Sequence, residues 1–212
     1  MDDMSRRLPE GAKRVFKGEI FEVWQWQQKM YDGSFATFET LKRPDTVQIL
    51  ATTSDKILVL EEQQPDSPES FVSLPGGRCD DGEDSLAAAQ RELAEETGYV
   101  SDDWVLLSQV YGSRKMIWTM HTYISRDCRQ EREQHLDPGE RIQTRLLDFD
   151  QFLALSDEPK FRSTQLVPEL LRMRLDNDRA EKFKALLFGH AVPPGHAELR
   201  AAEMARGPEG AR

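Results

Sequence analysis

Residues 77–99 contain seven acidic and only two basic side chains, and this local excess of negative charge is the feature that most constrains the fold of the chain. The segment has a net charge of −5, half of the −10 carried by all 212 residues. Its apolar residues recur at helical spacing, and a glycine stands where a helix would end. We therefore predict a helix that is capped by Glu83 or Asp84 and runs to about Thr97, followed by Gly98 as its stop. The predicted core-facing residues are Leu86, Ala89 and Leu93.

Three glutamates, Glu92, Glu95 and Glu96, would share one face of this helix because they are three and four residues apart. Like charges at this spacing cost about 0.2–0.5 kcal/mol per pair. The helix dipole further disfavours anions near the C-terminal end. A solvated helix face explains the pattern without a ligand. The alternative is that a hard divalent cation with oxygen ligands compensates the repulsion between the carboxylates. Mg²⁺ is the usual cation with phosphate substrates.

The residues around the glutamates favour the cation over the solvated face. Gly76-Gly77 lets the backbone approach a ligand closely, and a glycine carbonyl is one more hard oxygen ligand. Arg91 stands beside Glu92, and Glu83 stands at the predicted helix start. Their simplest joint role is an arginine–carboxylate clamp that holds the loop against the helix.

Overall charge and composition limit the class of protein. The 38 Asp and Glu against 28 Lys and Arg make an acidic surface that repels phosphate backbones, so we expect no nucleic-acid partner. No apolar run approaches the ~20 residues of a membrane span, and residues 1–7 lack the apolar core of a signal peptide. We therefore expect no membrane partner. Cys79 and Cys128 are too far apart for a CxxC pair, which favours a reduced, cytoplasmic setting.

The chain divides into three parts, and the pattern is that of an α/β chain with mixed strands. We predict a loose arm up to residue 18 and a β-hairpin after it within residues 1–44, a main domain over 45–178, and a tail over 179–212 that begins helical and becomes disordered. Residues 61–70 are predicted as a surface loop. The strands of the main domain are predicted at 47–53 and 56–60 (paired with one another), 71–74, 104–111, 117–124 and 142–147. Further helices are predicted at 149–155 and 164–175.

The acidic segment also has a characteristic spacing. Gly77, five residues, Glu83 and seven further residues lead to the run Arg91-Glu92-Leu93-Ala94-Glu95-Glu96-Thr97-Gly98-Tyr99. This pattern resembles the Nudix box, G-x5-E-x7-R-E-U-x-E-E-x-G-U, in which U is aliphatic. Every position of fixed identity matches, and only Tyr99, in the last aliphatic place, departs from it.

The resemblance to the Nudix hydrolase superfamily implies an α/β fold, the Nudix α/β/α sandwich with a mixed sheet, to which this chain adds an N-terminal antiparallel β-hairpin. It also implies hydrolysis of a nucleoside diphosphate linked to another group, with Mg²⁺ or Mn²⁺ as cofactor. By position, the implied metal ligands are the Gly77 carbonyl, Glu92, Glu95 and Glu96. The implied catalytic residues are Arg91, Glu95, Glu96 and a later loop residue that acts as base. The candidates for that base are Glu131, Glu133, Asp137 and Glu140, of which we favour Glu140, although a solvated loop explains each of them equally well.

The layout outside the box is similar to the ADP-ribose pyrophosphatase branch, which hydrolyses nucleoside diphosphate sugars. In that branch an N-terminal sheet builds a homodimer and reaches the partner's substrate pocket. The resemblance therefore implies a homodimer in which Trp24, Trp26 and Arg43 bind substrate; plain packing of the two tryptophans is the alternative. The implied reaction splits an ADP-ribose-like substrate into a nucleoside monophosphate and a sugar phosphate.

Several residues depart from that branch. The run Glu62-Gln63-Gln64 lacks the arginine of the branch's Gln-x-Arg, and Ser73 stands where the branch has a glutamate before Leu-Pro. No proline occurs in residues 102–118, where the branch has one. Two alternatives therefore stay open: a Nudix hydrolase of nucleoside triphosphates or dinucleoside polyphosphates, and a non-catalytic Nudix protein that binds nucleotides.

Overall fold

The computed structural model describes residues 8–113 and 115–189. Within these ranges it contains twelve β-strands and four α-helices. The strands are β1 Lys13–Lys17, β2 Glu22–Lys29, β3 Phe35–Lys42, β4 Thr46–Ala51, β5 Ile57–Gln63, β6 Phe71–Ser73, β7 Tyr99–Val100, β8 Asp103–Tyr111, β9 Met116–Ile117, β10 Thr119–Arg126, β11 Arg129–Gln130 and β12 Arg141–Leu147. The helices are α1 Ser85–Thr97, α2 Phe149–Ala154, α3 Val167–Leu175 and α4 Asn177–Leu187.

The central strands lie between two helical layers. Successive residues of β4 point to opposite faces, as in any strand. Ile49 belongs to an apolar cluster with Leu93 of α1, whereas Leu50 belongs to a second cluster with Phe152 of α2 and Leu170 of α3. This arrangement of α1 on one side and α2–α4 on the other is the α/β/α sandwich, so the predicted fold class is confirmed.

The central strands form two small sheets. In one, the order is β4-β10-β8, with β4 parallel and β8 antiparallel to β10; in the other, the order is β12-β5-β6 and every pair is antiparallel. The predicted pairing of 47–53 with 56–60 is wrong, since these segments share an isolated bridge between Thr52 and Ile57 and form no ladder with each other. Both strands are buried on both faces over most of their length. A continuous apolar run gives no indication of which strand is the partner.

Strands β1, β2, β3 and β9 form the N-terminal sheet, in that order. The hairpin of β2 and β3 confirms the predicted one, and its turn is held by the Asp32 carboxylate, which accepts from the Ser34 N–H at 2.9 Å. The predicted loose arm is wrong for residues 13–17, because they form β1 and pair with β2. All five residues of β1 are exposed, so no apolar alternation marks this strand in the sequence.

Helix α4 completes the core beyond the predicted domain boundary. Ala180, Phe183 and Leu187 are buried in the same cluster as α2 and α3, and the Thr52 hydroxyl donates to the Leu187 carbonyl at 3.1 Å. The boundary predicted at residue 178 therefore falls inside this helix. The rest of the predicted tail, residues 190–212, lies outside the described residues. None of the helices in the described ranges has the length and apolar character needed to cross a membrane.

Candidate active site

Helix α1 has the ends that the sequence predicts. At its start the Asp84 carboxylate accepts from the Leu86 N–H at 3.0 Å, which satisfies one of the free donors of the first turn. At its end Gly98 has a φ of +73°, and its N–H donates to the Ala94 carbonyl at 2.9 Å. This is the left-handed stop for which glycine is preferred. The buried Leu93 fixes the rotation of the helix, and that rotation presents the glutamate face to the loop before it.

The glycine loop, residues 75–83, runs along β4. The Val47 N–H donates to the Gly77 carbonyl at 2.9 Å, and the Ile49 N–H donates to the Pro75 carbonyl at 2.8 Å. The Gly77 carbonyl, predicted as a metal ligand, is therefore already engaged by the backbone of β4. Alternate residues of an extended strand face opposite neighbours. The N–H of Gly76, which lies between Pro75 and Gly77, accordingly points to α1 and donates to Glu96 at 2.8 Å.

Arg91 contacts Glu83 of the glycine loop and two glutamates of α1. Its Nε and Nη2 donate to the two oxygens of Glu83, each at 3.0 Å, and Nη2 also donates to the Arg78 carbonyl at 2.9 Å. Its Nη1 donates to Glu92 and Glu95, again at 3.0 Å each. The predicted arginine–carboxylate clamp is thus present, and a two-pronged pair of this kind fixes geometry as well as charge.

Glu96 is the most deeply placed glutamate of the helix, with 5% of its surface exposed. Burial raises its pKa well above the ordinary 4.5, the Gly76 N–H opposes this rise, and the charges of Glu92, Glu62 and Glu140 add to it. Burial also raises the pKa of Glu92, against the effect of Arg91. A solvated helix face does not produce such shifts, because water screens exposed charges.

Glu62 belongs to the same group of acids, and the sequence interpretation missed it. The sequence pattern predicts a surface loop over residues 61–70. In the structure β5 continues to Gln63 because this strand pairs with β12 and β6. Glu62 is 7% exposed, accepts from the Ser73 hydroxyl at 2.8 Å and accepts from the Gln64 amide at 3.0 Å. The usable signal was its place two residues after the apolar Leu60, on the inward face of the strand.

Glu140 is the predicted loop base that the structure couples to the other acids. Burial raises its pKa, the Asp137 N–H opposes the rise, and the charges of Asp137, Glu62 and Glu95 add to it. Of the other three candidates, Glu131 instead pairs with Arg129. Five acids therefore act on one another electrostatically, and we call them the carboxylate cluster. Its members are Glu62, Glu92, Glu95, Glu96 and Glu140.

The cluster is not a ready-made metal site. In the described part of the chain, no three acidic, histidine or cysteine side chains converge closely enough to hold a cation. Around Glu92 and Glu95 the reason is visible, because Nη1 of Arg91 lies 3.0 Å from both carboxylates. The donor chemistry nevertheless fits a hard divalent cation, since every candidate donor is an oxygen and the acids outnumber the single guanidinium that contacts them.

The predicted substrate-binding residues lie in the N-terminal sheet and at its border. The indole N–H groups of Trp24 and Trp26 donate within their own strand, to Glu22 at 2.8 Å and Gln28 at 3.0 Å. Arg43 lies between the rings of Phe21 and Trp118, at 5.8 and 5.5 Å from their centroids. Its Nε is buried and has no hydrogen-bond partner among the described residues.

Only Arg43 of these three residues approaches the glycine loop. It lines a cavity of about 470 Å³ together with Cys79 and Glu83 of that loop. Burial lowers the Arg43 pKa, and the nearby Arg78 lowers it further. No contact joins Trp24 or Trp26 to the carboxylate cluster in the residues that the structure describes.

The glycine loop, the clamp and the acid-bearing helix define the class of protein. The NUDIX domain family model matches residues 42–168, which is more than half of the chain, and the chain belongs to the Nudix hydrolases.

The individual proteins that resemble this chain share less than 30% of their residues with it over the aligned region. The chain is 26% identical over 160 residues to a methanol dehydrogenase activator of Bacillus methanolicus, an alignment covering 74% of this chain and 86% of that protein. It is 28% identical over 102 residues to an ADP-ribose pyrophosphatase of Bacillus subtilis (strain 168), covering 48% of this chain and 55% of that one. The crystal structure of an ADP compounds hydrolase superimposes with a TM-score of 0.64 at 20% identity, over 80% of this chain and 94% of that chain, which shows the shared fold.

Proposed function

We propose that this protein hydrolyses the pyrophosphate bond of a nucleoside diphosphate sugar, ADP-ribose or a similar compound, to a nucleoside monophosphate and a sugar phosphate. The observation that carries the proposal is the carboxylate cluster, in which Glu62, Glu96 and Glu140 lie near two further acids, Glu92 and Glu95, that Arg91 contacts. The names of two similar proteins, an ADP-ribose pyrophosphatase and an ADP compounds hydrolase, support this substrate class.

A divalent cation, Mg²⁺ or Mn²⁺, is part of the proposal. Glu92, Glu95 and Glu96 would hold it, together with a backbone carbonyl of the glycine loop. The predicted donor is the Gly77 carbonyl, which accepts from the Val47 N–H and has a second lone pair for a cation. When bound, such a cation offsets charge on the phosphoryl oxygens and lowers the pKa of a coordinated water.

The side chains of the chain divide the remaining work. Arg91 holds the glycine loop to α1 through Glu83 and orients the carboxylates of Glu92 and Glu95. Glu96 is fixed by the Gly76 N–H. Glu140 is suited to accept a proton from the attacking water, because a carboxylate with a raised pKa is the stronger base.

The homodimer is a further part of the proposal. The N-terminal sheet leaves several large apolar side chains exposed, namely Val15, Phe16, Tyr31 and Phe35. Apolar residues gathered on one small sheet are suited to an interface between subunits. Arg43 and the tryptophans would then reach substrate at that interface.

The test is hydrolysis by pure protein, with Mg²⁺, of ADP-ribose, ADP-glucose, UDP-glucose, ATP and diadenosine polyphosphates, followed by identification of the products. We expect a nucleoside monophosphate and a sugar phosphate from a nucleotide sugar. Release of pyrophosphate from ATP alone would replace the proposal with a triphosphate hydrolase. Tight binding of a nucleotide without turnover would replace it with a binding protein.

The matched variants are Glu96→Gln and Asp102→Asn. Loss of an outer partner of a metal site typically costs about 10–100-fold in activity, so we expect Glu96→Gln to lose at least that much. Asp102→Asn removes an exposed carboxylate outside the cluster, which pairs with Arg129, and should keep wild-type activity. Equal activity of the two variants would contradict the assignment.

A further inference from the structure

A second cavity lies beside the carboxylate cluster. It has a volume of about 330 Å³ and lies between the loop after β5 and the loop before β12. Its lining includes Gln63, Gln64, Ser67, Glu140 and Arg141. Gly139 and Pro65, one from each loop, face each other, because a Cβ added at Gly139 would lie 3.7 Å from the Pro65 ring. The cavity is therefore built by the packing of two loops.

Two residues join this cavity to the carboxylate cluster. Glu140 lines the cavity, and the charges of Glu62 and Glu95 raise its pKa. Gln64 lines it too, and its amide donates to the Glu62 carboxylate at 3.0 Å. A ligand in this cavity would thus lie next to the proposed site of hydrolysis.

Arg141 gives the cavity a free positive charge. It is paired with Gln63 across β12 and β5, and its guanidinium makes no hydrogen bond or ion pair with any residue that the structure describes. Arg145, four residues further along β12, instead lies 3.7 Å from the Glu61 carboxylate. Arg141 is thus available to an anion from outside the chain, whereas Arg145 is already paired with the Glu61 carboxylate.

A second guanidinium contacts the lining of the cavity at Ser67. Arg162 stacks on the Phe71 ring at 3.7 Å from its centroid and donates to the Ser67 hydroxyl at 3.3 Å. The Gln63 amide donates to the Pro68 carbonyl at 3.2 Å, which orients its side chain. Two guanidinium groups and two oriented amides match a ligand that carries both a phosphate and hydroxyl groups.

We infer that this cavity binds the sugar-phosphate half of the substrate, with Arg141 contacting its phosphate and the amides of Gln63 and Gln64 facing its hydroxyls. This inference rests on the proposed function and deepens it. The volume, near the lower end of the roughly 300–1,000 Å³ of small-molecule sites, suits a monosaccharide phosphate better than a whole nucleotide sugar. The nucleoside half then lies outside the cavity, on the other side of the carboxylate cluster.

The test compares Arg141→Gln with Arg145→Gln, two exposed positions on the same face of the same strand. With ADP-ribose and Mg²⁺, Arg141→Gln should raise KM about tenfold, as expected for one lost charge-assisted hydrogen bond, with kcat close to wild type. Arg145→Gln should leave both constants unchanged. Equal KM values for the two variants and the wild type would overturn the inference, while the proposed function would stand on the wild-type activity.

Calorimetric titration with ribose 5-phosphate tests the cavity apart from turnover. We expect the wild type and Arg145→Gln to bind ribose 5-phosphate, and Arg141→Gln to bind it about tenfold more weakly, while AMP binding stays the same in all three. If the wild type hydrolyses no nucleotide sugar, the proposed function fails, and this titration still decides whether the cavity takes a sugar phosphate. An equal loss of AMP binding in Arg141→Gln would overturn the assignment to the sugar half.

Discussion

The α-carbon of Gly77 lies directly against the carboxylate of Glu92. A Cβ on residue 77 would stand 2.5 Å from the carboxylate carbon and 2.7 Å from Oε2, distances that real Cβ atoms do not adopt. Glu92 in turn accepts from Arg91, which also holds Glu83 on the loop. The contact between the loop and the helix therefore requires glycine at residue 77 as long as the Glu92 carboxylate keeps this position.

Gly77→Ala is expected to force the Glu92 carboxylate away from the loop. The displaced atoms are the end of a flexible side chain, so the unfolding free energy should fall by no more than about 1 kcal/mol, the lower end of the range for overpacking. Hydrolysis of a nucleotide sugar should fall sharply because Glu92 no longer faces the other acids. Urea unfolding and initial rates measure the two effects. Wild-type activity in a stable Gly77→Ala protein would contradict the role given to this contact.

Arg91→Lys is expected to keep a positive charge and lose the clamp. A lysine ammonium cannot reproduce the two parallel bonds to Glu83 together with those to Glu92 and Glu95. We expect a loss of about 1–3 kcal/mol in unfolding free energy, and a lower kcat. Arg172→Lys is the control, because its contact with Glu169 is a longer, more exposed ion pair at 3.6 Å. If both variants behave alike, the clamp does not organise the site.

In the metal-free protein, Glu96 and Glu92 should lower the stability by an amount that grows as the pH rises above about 4.5, the ordinary pKa of glutamate. Burial raises the pKa of Glu96 and Glu92 in the folded state, so folding favours their protonated forms. Their destabilising effect is absent below the unfolded pKa and grows as the pH rises toward the folded pKa. Urea unfolding in EDTA between pH 4.5 and 8 measures it. Glu96→Gln should flatten this dependence and be more stable than the wild type at neutral pH, although it is inactive. Stability that rises with pH in EDTA to the same extent in both proteins would contradict these pKa directions.

Glu62→Gln is expected to lower the pKa of Glu96 through the loss of a nearby negative charge. The charge of Glu62 is one of the causes of the raised Glu96 pKa, so its removal should shift the pH-dependent loss of stability in EDTA to lower pH. Affinity for Mn²⁺, measured by calorimetry, should also fall because the cluster loses a negative charge. Glu61→Gln, on the neighbouring position of β5 and about 40% exposed, is the matched control and should behave as wild type. Identical pH profiles and Mn²⁺ affinities for the two variants would remove Glu62 from the cluster.

The pairing of the strands is the part of the fold that the local sequence pattern did not predict correctly. The strands β4 and β5 are present near the predicted positions, yet their pairing was wrong because apolar side chains on both faces fit more than one neighbour. Strand β1 was missed because its five exposed residues show no alternation. The first error concerns partners far apart in the chain, which a local pattern does not encode. The second concerns a pairing between neighbouring strands that leaves no apolar face.

The sequence by itself determined α1 and the group of residues it carries. Helical periodicity, the Asp84 and Gly98 ends and the spacing of Arg91, Glu92 and Glu96 are local properties, and local rules were sufficient to predict them. The tertiary structure alone decided that Glu62 joins these acids, that the Gly77 carbonyl accepts from β4, and that Glu140 and Arg141 line one cavity with Gln63. Each of these depends on which strand lies next to which, and that choice is made by the packing of the whole domain.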